Sequence, residues 1–301
     1  MADKLAIAVI HGIGKTVPEF ADPHHENYLS GLVPPLRQAF AKHLNISPEA
    51  SADLLEFQAL YWAPVLQKRQ DVLFNRLDID ETVSSSFGLR DFIFHALADA
   101  VAYQPPVGGA NSDPPSIYRR IHETIAASLS DLADRAGTDA PLCVIGHSMG
   151  SAVASNYLWD LQAGHGPANR RDNPLERGDT FRCFYTFGSQ IPFWSLRYED
   201  FGSPIQVPAP AIRDRAPSWG GEWLNFYDRD DLLGYPIAKI YGRETYRMGD
   251  REYPRPTIRD ISVNAGNMLT NWNTLSHNAY WRDPVVTDAI GQSLARLWKN
   301  R

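Results

Sequence analysis

The feature that most constrains this chain is the pentapeptide Gly-His-Ser-Met-Gly at residues 146–150. A mostly apolar run at 141–146 leads into it and has the length of a buried strand. The residues that follow, 148–162, are rich in alanine and other small residues and favour a closely packed helix. A serine between two glycines in such a strand–turn–helix context indicates a sharp turn that presents the Ser148 hydroxyl at a strand's carboxyl end.

This turn has a steric requirement. It is so tight that Ser148 is expected to have strained backbone angles, and side chains at positions 146 and 150 would clash with their surroundings. Both positions are glycine. The N-terminus of the following helix then lies beneath the serine, with the N–H of Met149 pointing to where an oxyanion would form. We therefore predict Ser148 as a nucleophile and Met149 as an oxyanion donor.

Strand and helix patterns alternate along the rest of the chain, which is typical of a mostly parallel sheet with helices on both faces. We expect one α/β domain over residues 1–301. Further strands are predicted at Leu5–Ile10, 54–62, Phe181–Phe187, 223–227 and 257–263, and helices at 27–43, 65–77, 91–103, 117–132 and 285–299, with an irregular segment at 192–218.

Composition excludes several classes of function. The net charge of -6, without a basic stripe, argues against a nucleic-acid partner. The apolar run Leu5–Ile10 is far shorter than the ~18 residues that span a bilayer, and residues 1–4 do not resemble a signal peptide. We therefore expect a cytoplasmic protein without an integral membrane segment. Cys143 and Cys183 lie in apolar strand runs and are predicted core residues, since two cysteines cannot make a disulfide framework.

A serine hydroxyl needs a base to become nucleophilic. After this kind of turn the acid and then the histidine follow the serine along the chain. Of nine histidines, His165 and His277 follow Ser148. His165 comes after the elbow helix, roughly 25 Å from the serine at ~1.5 Å per residue. We therefore predict His277, which precedes the last helix, as the base.

The acid is expected after the strand that follows Phe181–Phe187, in a run with three aspartates. Asp231 is favoured, Asp228 and Asp230 are alternatives, and Asp260 is the weakest candidate because it lies within a predicted strand. The role of the acid is to fix the tautomer of the histidine and stabilise the imidazolium, without accepting its proton.

The loop after the first strand, His-Gly-Ile-Gly at residues 11–14, is placed to supply the second oxyanion N–H, which we assign to Ile13. His11 is expected to order this loop. Residues 14–16, Gly-Lys-Thr, do not make a phosphate loop, because the glycine required at position 9 is Val9. Residues 24–26, His-His-Glu, are interpreted as a polar loop because no third ligand is evident. We expect no cofactor and no metal.

Taken together, these motifs resemble the α/β-hydrolase superfamily, in particular its lipase/esterase-like branch. The resemblance implies an α/β-hydrolase fold, and it places the triad acid at Asp231, the triad histidine at His277 and the oxyanion donors at Ile13 and Met149. One departure is Leu-Leu at 232–233, where relatives often have Pro-Val. The segments that carry the resemblance are 11–14 (HGIG), 146–150 (GHSMG), 187–189 (FGS), 225–231 (NFYDRDD) and 276–281 (SHNAYW).

Cap or lid insertions are expected within 62–116 and 191–218, where the apolar residues of 65–103 and 191–198 either cover an acyl chain or belong to ordinary core packing. The sequence predicts a serine hydrolase that cleaves small-molecule carboxylic esters with an apolar acyl group through an acyl-enzyme. The alternatives are an acyltransferase with the same triad and a hydrolase-like scaffold that binds without catalysis. The sequence leaves the oligomeric state open.

Overall fold

A central sheet of six parallel strands organises the protein in the computed structural model, which describes residues 4–13, 16–77, 89–105, 116–215, 219–265 and 276–300. A separate antiparallel hairpin is formed by β6 (Thr245–Met248) and β7 (Arg251–Pro254). The strands of the central sheet are β1 (Leu5–Ile10), β2 (Leu55–Leu60), β3 (Leu142–His147), β4 (Phe181–Phe187), β5 (Glu222–Asp228) and β8 (Ile258–Val263).

The order of the strands across the sheet is β2–β1–β3–β4–β5–β8. The chain passes from β1 outward to β2 and then returns to place β3 on the other side of β1, so the direction of winding reverses between β1 and β3. In open parallel sheets, ligands bind at the carboxyl ends of the strands beside such a reversal. The loop after β1 and the turn after β3 therefore meet at the edge where a site is expected.

Helices cover both faces of the sheet because the strands bury side chains on both sides. Leu5, Ile7 and Val9 pack on the face covered by the first and last helices, and Ala6 and Ala8 on the opposite face. The helices are α1 (Val33–Leu44), α2 (Pro64–Arg76), α3 (Leu89–Ala102), α4 (Ile117–Ala136), α5 (Met149–Gln162), α6 (Ile191–Ser195), α7 (Pro210–Arg215) and α8 (Pro284–Lys299).

The α/β architecture and the parallel sheet predicted from the alternation of strands and helices are confirmed. One local prediction is wrong, and one element was missed. Segment 192–218 is not irregular throughout, since it holds most of α6, the 3-10 turn Glu199–Phe201 and α7. These elements are too short to show a helical period. The hairpin of β6 and β7 was not predicted, because each of its strands has four residues, the lower limit of the length over which alternation indicates a strand.

Several further expectations can be placed on the structure. Cys143 and Cys183 are buried and directly paired across β3 and β4, which confirms them as core residues. Across the described ranges, no helix combines the length and apolar character needed to cross a bilayer. Part of the first predicted insertion, at 78–88 and 106–115, lies outside the described residues.

Candidate active site

Ser148 stands at the turn between β3 and α5 with φ 54° and ψ −132°, angles that a non-glycine residue seldom adopts. A Cβ atom placed on Gly150 would lie 2.2 Å from the carbonyl oxygen of His11, and one on Gly146 would lie 2.8 Å from the Cα of Ser151. Both distances are far inside van der Waals contact. The predicted backbone strain at the serine and the need for glycine on both sides of it are confirmed.

The Ser148 side chain is buried, with 1% of the residue's surface exposed. Its backbone N–H donates to the carbonyl oxygen of Phe187 at 3.0 Å, which fixes the turn to the end of β4. Its Oγ accepts a hydrogen bond of 3.0 Å from Nε2 of Gln190, just beyond that strand. Sequence reasoning did not find Gln190, because the contact depends on β3 and β4 being neighbours in the sheet.

His277 lies in the 3-10 helix Ser276–Arg282, and its Nδ1 contacts the carboxylate of Asp231 at 3.0 and 2.9 Å. An ionised carboxylate only accepts hydrogen bonds, so Nδ1 carries a hydrogen, and in the neutral imidazole Nε2 is then the nitrogen with the lone pair. That Nε2 is buried and has no hydrogen-bond partner within the described part of the chain; we call it the open nitrogen of His277. His165, the other histidine considered, lies exposed beyond α5.

The Asp231 carboxylate has further donors. Tyr280 donates its hydroxyl to Oδ2 at 2.9 Å, and the N–H of Leu233 donates to Oδ1 at 2.9 Å. Burial opposes the charge of Asp231, but the hydrogen bond and charge of His277 and these two donors outweigh it, so the pKa of Asp231 is lowered. The carboxylate is therefore ionised at neutral pH and holds the His277 ring in one tautomer.

The other three aspartates have different partners or surroundings. Asp228 is buried and accepts backbone N–H groups on both carboxylate oxygens, at 3.0 and 2.7 Å. Asp260 accepts two backbone N–H groups and one side-chain amide, all at 2.8 to 2.9 Å. Asp230 is exposed. Among the four candidates, the structure thus brings Asp231 to His277, while Asp228 and Asp260 tie loops together.

The loop after β1 lies directly against the serine. A Cβ atom on Gly12 would be 2.6 Å from the Cβ of Ser148, so only glycine permits this approach. The next residue, Ile13, packs against the core, and the N–H of Met149 has no partner one turn back because this residue begins α5. Of the two predicted oxyanion donors, Met149 thus directly follows Ser148, and Ile13 follows the glycine that lies against it. Gly14 and Lys15 lie outside the described residues.

His11 holds this loop in place. Its Nε2 accepts the N–H groups of Trp62 and Ala63 at 3.2 and 3.3 Å, and its ring stacks on Trp62 with centroids 4.9 Å apart. Burial lowers the pKa of His11 to about 4, although a hydrogen bond to the Gly12 carbonyl opposes the shift. A neutral, fully bonded imidazole fits the structural role predicted for this residue.

His147 lies between Gly146 and Ser148 in the sequence, and sequence reasoning assigned it no role. Its Nε2 is 2.7 Å from the carbonyl oxygen of His277, so this nitrogen carries a hydrogen and donates it. Burial, reinforced by the charge of His277, lowers the pKa of His147 to about 3. A neutral His147 thus anchors the backbone of His277.

A cavity of about 400 Å³ opens beside these groups. It reaches the His277 ring and the loop after β1, and much of its remaining wall is apolar. Within the described ranges, no three His, Cys, Asp or Glu side chains converge as metal ligands would. The residues that line the cavity are His11, Gly12, Ile13, Thr16, Val17, Phe20, Asn27, Ser30, His147, His277, Asn278 and Trp281.

Comparison with known proteins assigns no family: no protein-family model matches the chain, and no curated protein matches it.

Proposed function

We propose that the protein is a serine hydrolase of the α/β-hydrolase fold that cleaves carboxylic esters. One observation carries the proposal: the buried pair of His277 and Asp231 leaves the open nitrogen of His277 at the same sheet edge where the turn presents Ser148. A base with a free lone pair, an ionised carboxylate behind it and a strained serine are the groups that nucleophilic acyl transfer requires.

In the proposed reaction, Ser148 Oγ attacks the ester carbonyl carbon while its proton passes to Nε2 of His277. Asp231 stabilises the imidazolium through Nδ1 and keeps its own charge. The N–H groups of Ile13 and Met149 donate to the oxygen that becomes negative in the tetrahedral intermediate. His277 then returns the proton to the departing alcohol, which leaves an acyl-enzyme on Ser148.

Hydrolysis of the acyl-enzyme repeats these steps with water. His277 removes a proton from the water molecule as its oxygen attacks the acyl carbon, and the proton finally returns to Ser148 Oγ. The apolar walls that Ile13, Val17 and Phe20 give the cavity beside His277 support an ester with an apolar acyl group. A role of segment 191–198 as a lid and a cytoplasmic location stay predictions from the sequence.

The proposal is tested by labelling with a fluorophosphonate probe and by turnover of p-nitrophenyl esters of increasing chain length. Ser148→Ala should abolish labelling and reduce ester cleavage by ~10³-fold or more, because the nucleophile is lost while the fold remains. The matched control is Ser293→Ala, which removes another buried serine hydroxyl, one bonded to Tyr185 at 2.6 Å.

Labelling and turnover should survive in the control variant. A wild-type protein that neither labels nor turns over any ester would favour the non-catalytic scaffold. Acyl transfer to an added alcohol in preference to water would favour the acyltransferase.

A further inference from the structure

Gln190 is a buried polar residue whose side chain ends at the proposed nucleophile. It follows β4, is 4% exposed, and its Nε2 donates to Ser148 Oγ at 3.0 Å. Burying an amide without partners is unfavourable, so a glutamine in this place indicates a specific contact.

The backbone of Gln190 holds this side chain in place. Its N–H points to the carbonyl oxygen of Ser148 at 3.5 Å, and its own carbonyl accepts the N–H groups of Phe193 and Trp194 at 3.1 and 3.3 Å. The residue is thus joined to the nucleophile turn on one side and to the start of α6 on the other. The amide therefore approaches Ser148 Oγ from a fixed position.

The chemistry of this contact determines where the hydroxyl hydrogen points. An amide nitrogen is a donor only, so Ser148 Oγ acts as the acceptor and keeps its own hydrogen for another group. Nε2 of His277, the open nitrogen, is a buried lone-pair acceptor without a partner among the described residues. The bond from Gln190 and the proton transfer to His277 are therefore compatible, because the first uses a lone pair of Oγ and the second uses its hydrogen.

We propose that Gln190 is a further catalytic residue of this site, an N–H donor to the nucleophilic oxygen. The inference rests on the proposed function, because it assumes that Ser148 attacks an acyl group. As Oγ bonds to the acyl carbon, its O–H bond breaks and the proton goes to Nε2 of His277. Gln190 keeps both amide hydrogens, and its bond to Oγ strengthens as partial negative charge develops on that oxygen during the proton transfer.

Two substitutions of Gln190 test the proposal. Gln190→Met keeps the shape of the side chain but removes the donor, and should slow labelling and the acylation burst by about 10- to 100-fold, the range for a hydrogen bond to a charged group. Gln190→Glu replaces the donor by an acceptor that competes for the serine hydrogen. At neutral pH the rate of labelling should therefore fall further in Gln190→Glu than in Gln190→Met.

The pH dependence separates this role from a structural one. A protonated carboxyl group can donate again, so the rate of Gln190→Glu relative to wild type should rise as pH falls from 8 to 5. The control is Gln206→Met, at another buried glutamine, whose Oε1 accepts a hydrogen bond from Arg213 at 2.9 Å. It should label at the wild-type rate. Circular dichroism and melting temperature establish that each variant is folded.

Each outcome decides one question. Wild-type labelling rates in Gln190→Met, or a folded Gln190→Glu variant as active as wild type, would overturn the role of Gln190 and leave the proposed function standing. An equal slowing of both variants at every pH, in step with lower melting temperatures, would assign Gln190 a structural role only. If Gln190→Met does not fold, the isosteric Gln190→Glu variant decides by its pH profile. Failure of wild type itself to label counts against the proposed function instead.

Discussion

Among the described residues, two histidine–aspartate pairs have a buried histidine, and their comparison shows what distinguishes the candidate active site. His277 contacts Asp231 at 2.9 Å at the carboxyl edge of the sheet. His122 contacts Asp160 at 3.1 Å between α4 and α5. Both histidines use Nδ1 and both are almost fully buried, so neither the distance nor the burial of the histidine separates the pairs.

A tyrosine adds to the likeness. Tyr280 donates its hydroxyl to Oδ2 of Asp231 at 2.9 Å, and Tyr118 donates to Oδ2 of Asp160 at 2.8 Å. In each case a carboxylate taken partly out of water receives a histidine and a tyrosine donor, an arrangement that makes a buried charge tolerable. A His–Asp–Tyr group is therefore a general way to satisfy a buried carboxylate and does not by itself indicate catalysis.

The difference lies at the second ring nitrogen. Nε2 of His122 is 2.9 Å from the hydroxyl of Tyr103, and that hydroxyl also accepts Nδ2 of Asn156 at 3.3 Å. The Tyr103 hydrogen is thus donated to His122, and this network is closed. Nε2 of His277 has no such partner in the described ranges, and it lies at the edge that Ser148 occupies. A ring nitrogen whose lone pair is not bonded can accept a proton, whereas the lone pair of His122 is already occupied by the Tyr103 hydroxyl.

The largest effect should come from changing the two aspartates in parallel. Asp231→Asn should reduce ester cleavage by about 10⁴-fold, because the amide no longer holds the tautomer of His277 or stabilises its positive charge. Asp160→Asn should leave cleavage within about threefold of wild type and lower stability instead, by about 1 to 2 kcal/mol. Initial rates with a p-nitrophenyl ester and urea unfolding measure the two effects.

The wild-type protein and Ser148→Ala serve as controls for that comparison, since they define full and residual activity. Equal losses of activity in Asp231→Asn and Asp160→Asn would remove the distinction between an open and a closed pair. Such a result would also show that the network of His122 and Asp160 supports the active site.

The second expected effect is a loss of stability in acid, which should differ between a buried histidine that has an acidic hydrogen-bond partner and one that has none. Burial lowers the pKa of His147 to about 3. Burial also lowers the pKa of His122, but there the hydrogen bond and charge of Asp160 oppose the shift. The unfolded chain binds a proton at His147 below about pH 6.5 and the folded protein does not. Stability is therefore lost as pH falls from about 6.5 toward 3.

The expected loss from His147 alone is about 2 kcal/mol between pH 7.5 and pH 5. In His147→Gln that part of the pH dependence should disappear, so the free energy of unfolding should change less with pH than in wild type. His122→Gln should flatten the profile by a smaller amount. Urea unfolding at both pH values measures this, and a pH dependence in His147→Gln equal to that of wild type would show that His147 takes up its proton over the same pH range in the folded and unfolded protein.

The sequence reveals parts of this arrangement that depend on neighbouring residues. The strain at Ser148 and the glycines around it follow from one strand–turn–helix segment, and His277 follows from elimination along the chain. Asp231 is harder, because three aspartates share a short run. It is the tertiary structure that turns Asp228 toward backbone N–H groups.

Other parts depend on which strands and helices are neighbours in space. Gln190 reaches Ser148 because β4 pairs with β3, and His122 reaches Asp160 because α4 and α5 lie together. Neither contact has a local signal, since the partners are far apart in sequence and belong to separate elements. The β6–β7 hairpin was missed for a related reason. Its two short strands are defined by their pairing with each other, and their composition alone does not indicate a strand.

The smallest expected effect concerns the two tyrosines. Burial raises the pKa of Tyr280, so its hydroxyl stays protonated, donates to Asp231 and accepts the N–H of Asp228 at 2.8 Å. Tyr280→Phe should reduce ester cleavage by about 3- to 10-fold and stability by about 1 kcal/mol, because Asp231 loses one of its donors. Tyr118→Phe should cause a similar loss of stability with unchanged kcat.

A kcat for Tyr118→Phe as low as that for Tyr280→Phe would mean that both effects act through stability. A kcat that is lower in Tyr280→Phe than in Tyr118→Phe, at equal melting temperatures of the two variants, would support the distinction between an open and a closed pair. In that case the Tyr280 hydroxyl acts on the open nitrogen of His277 through Asp231. The Tyr118 hydroxyl, in the closed network of Asp160, only stabilises the fold.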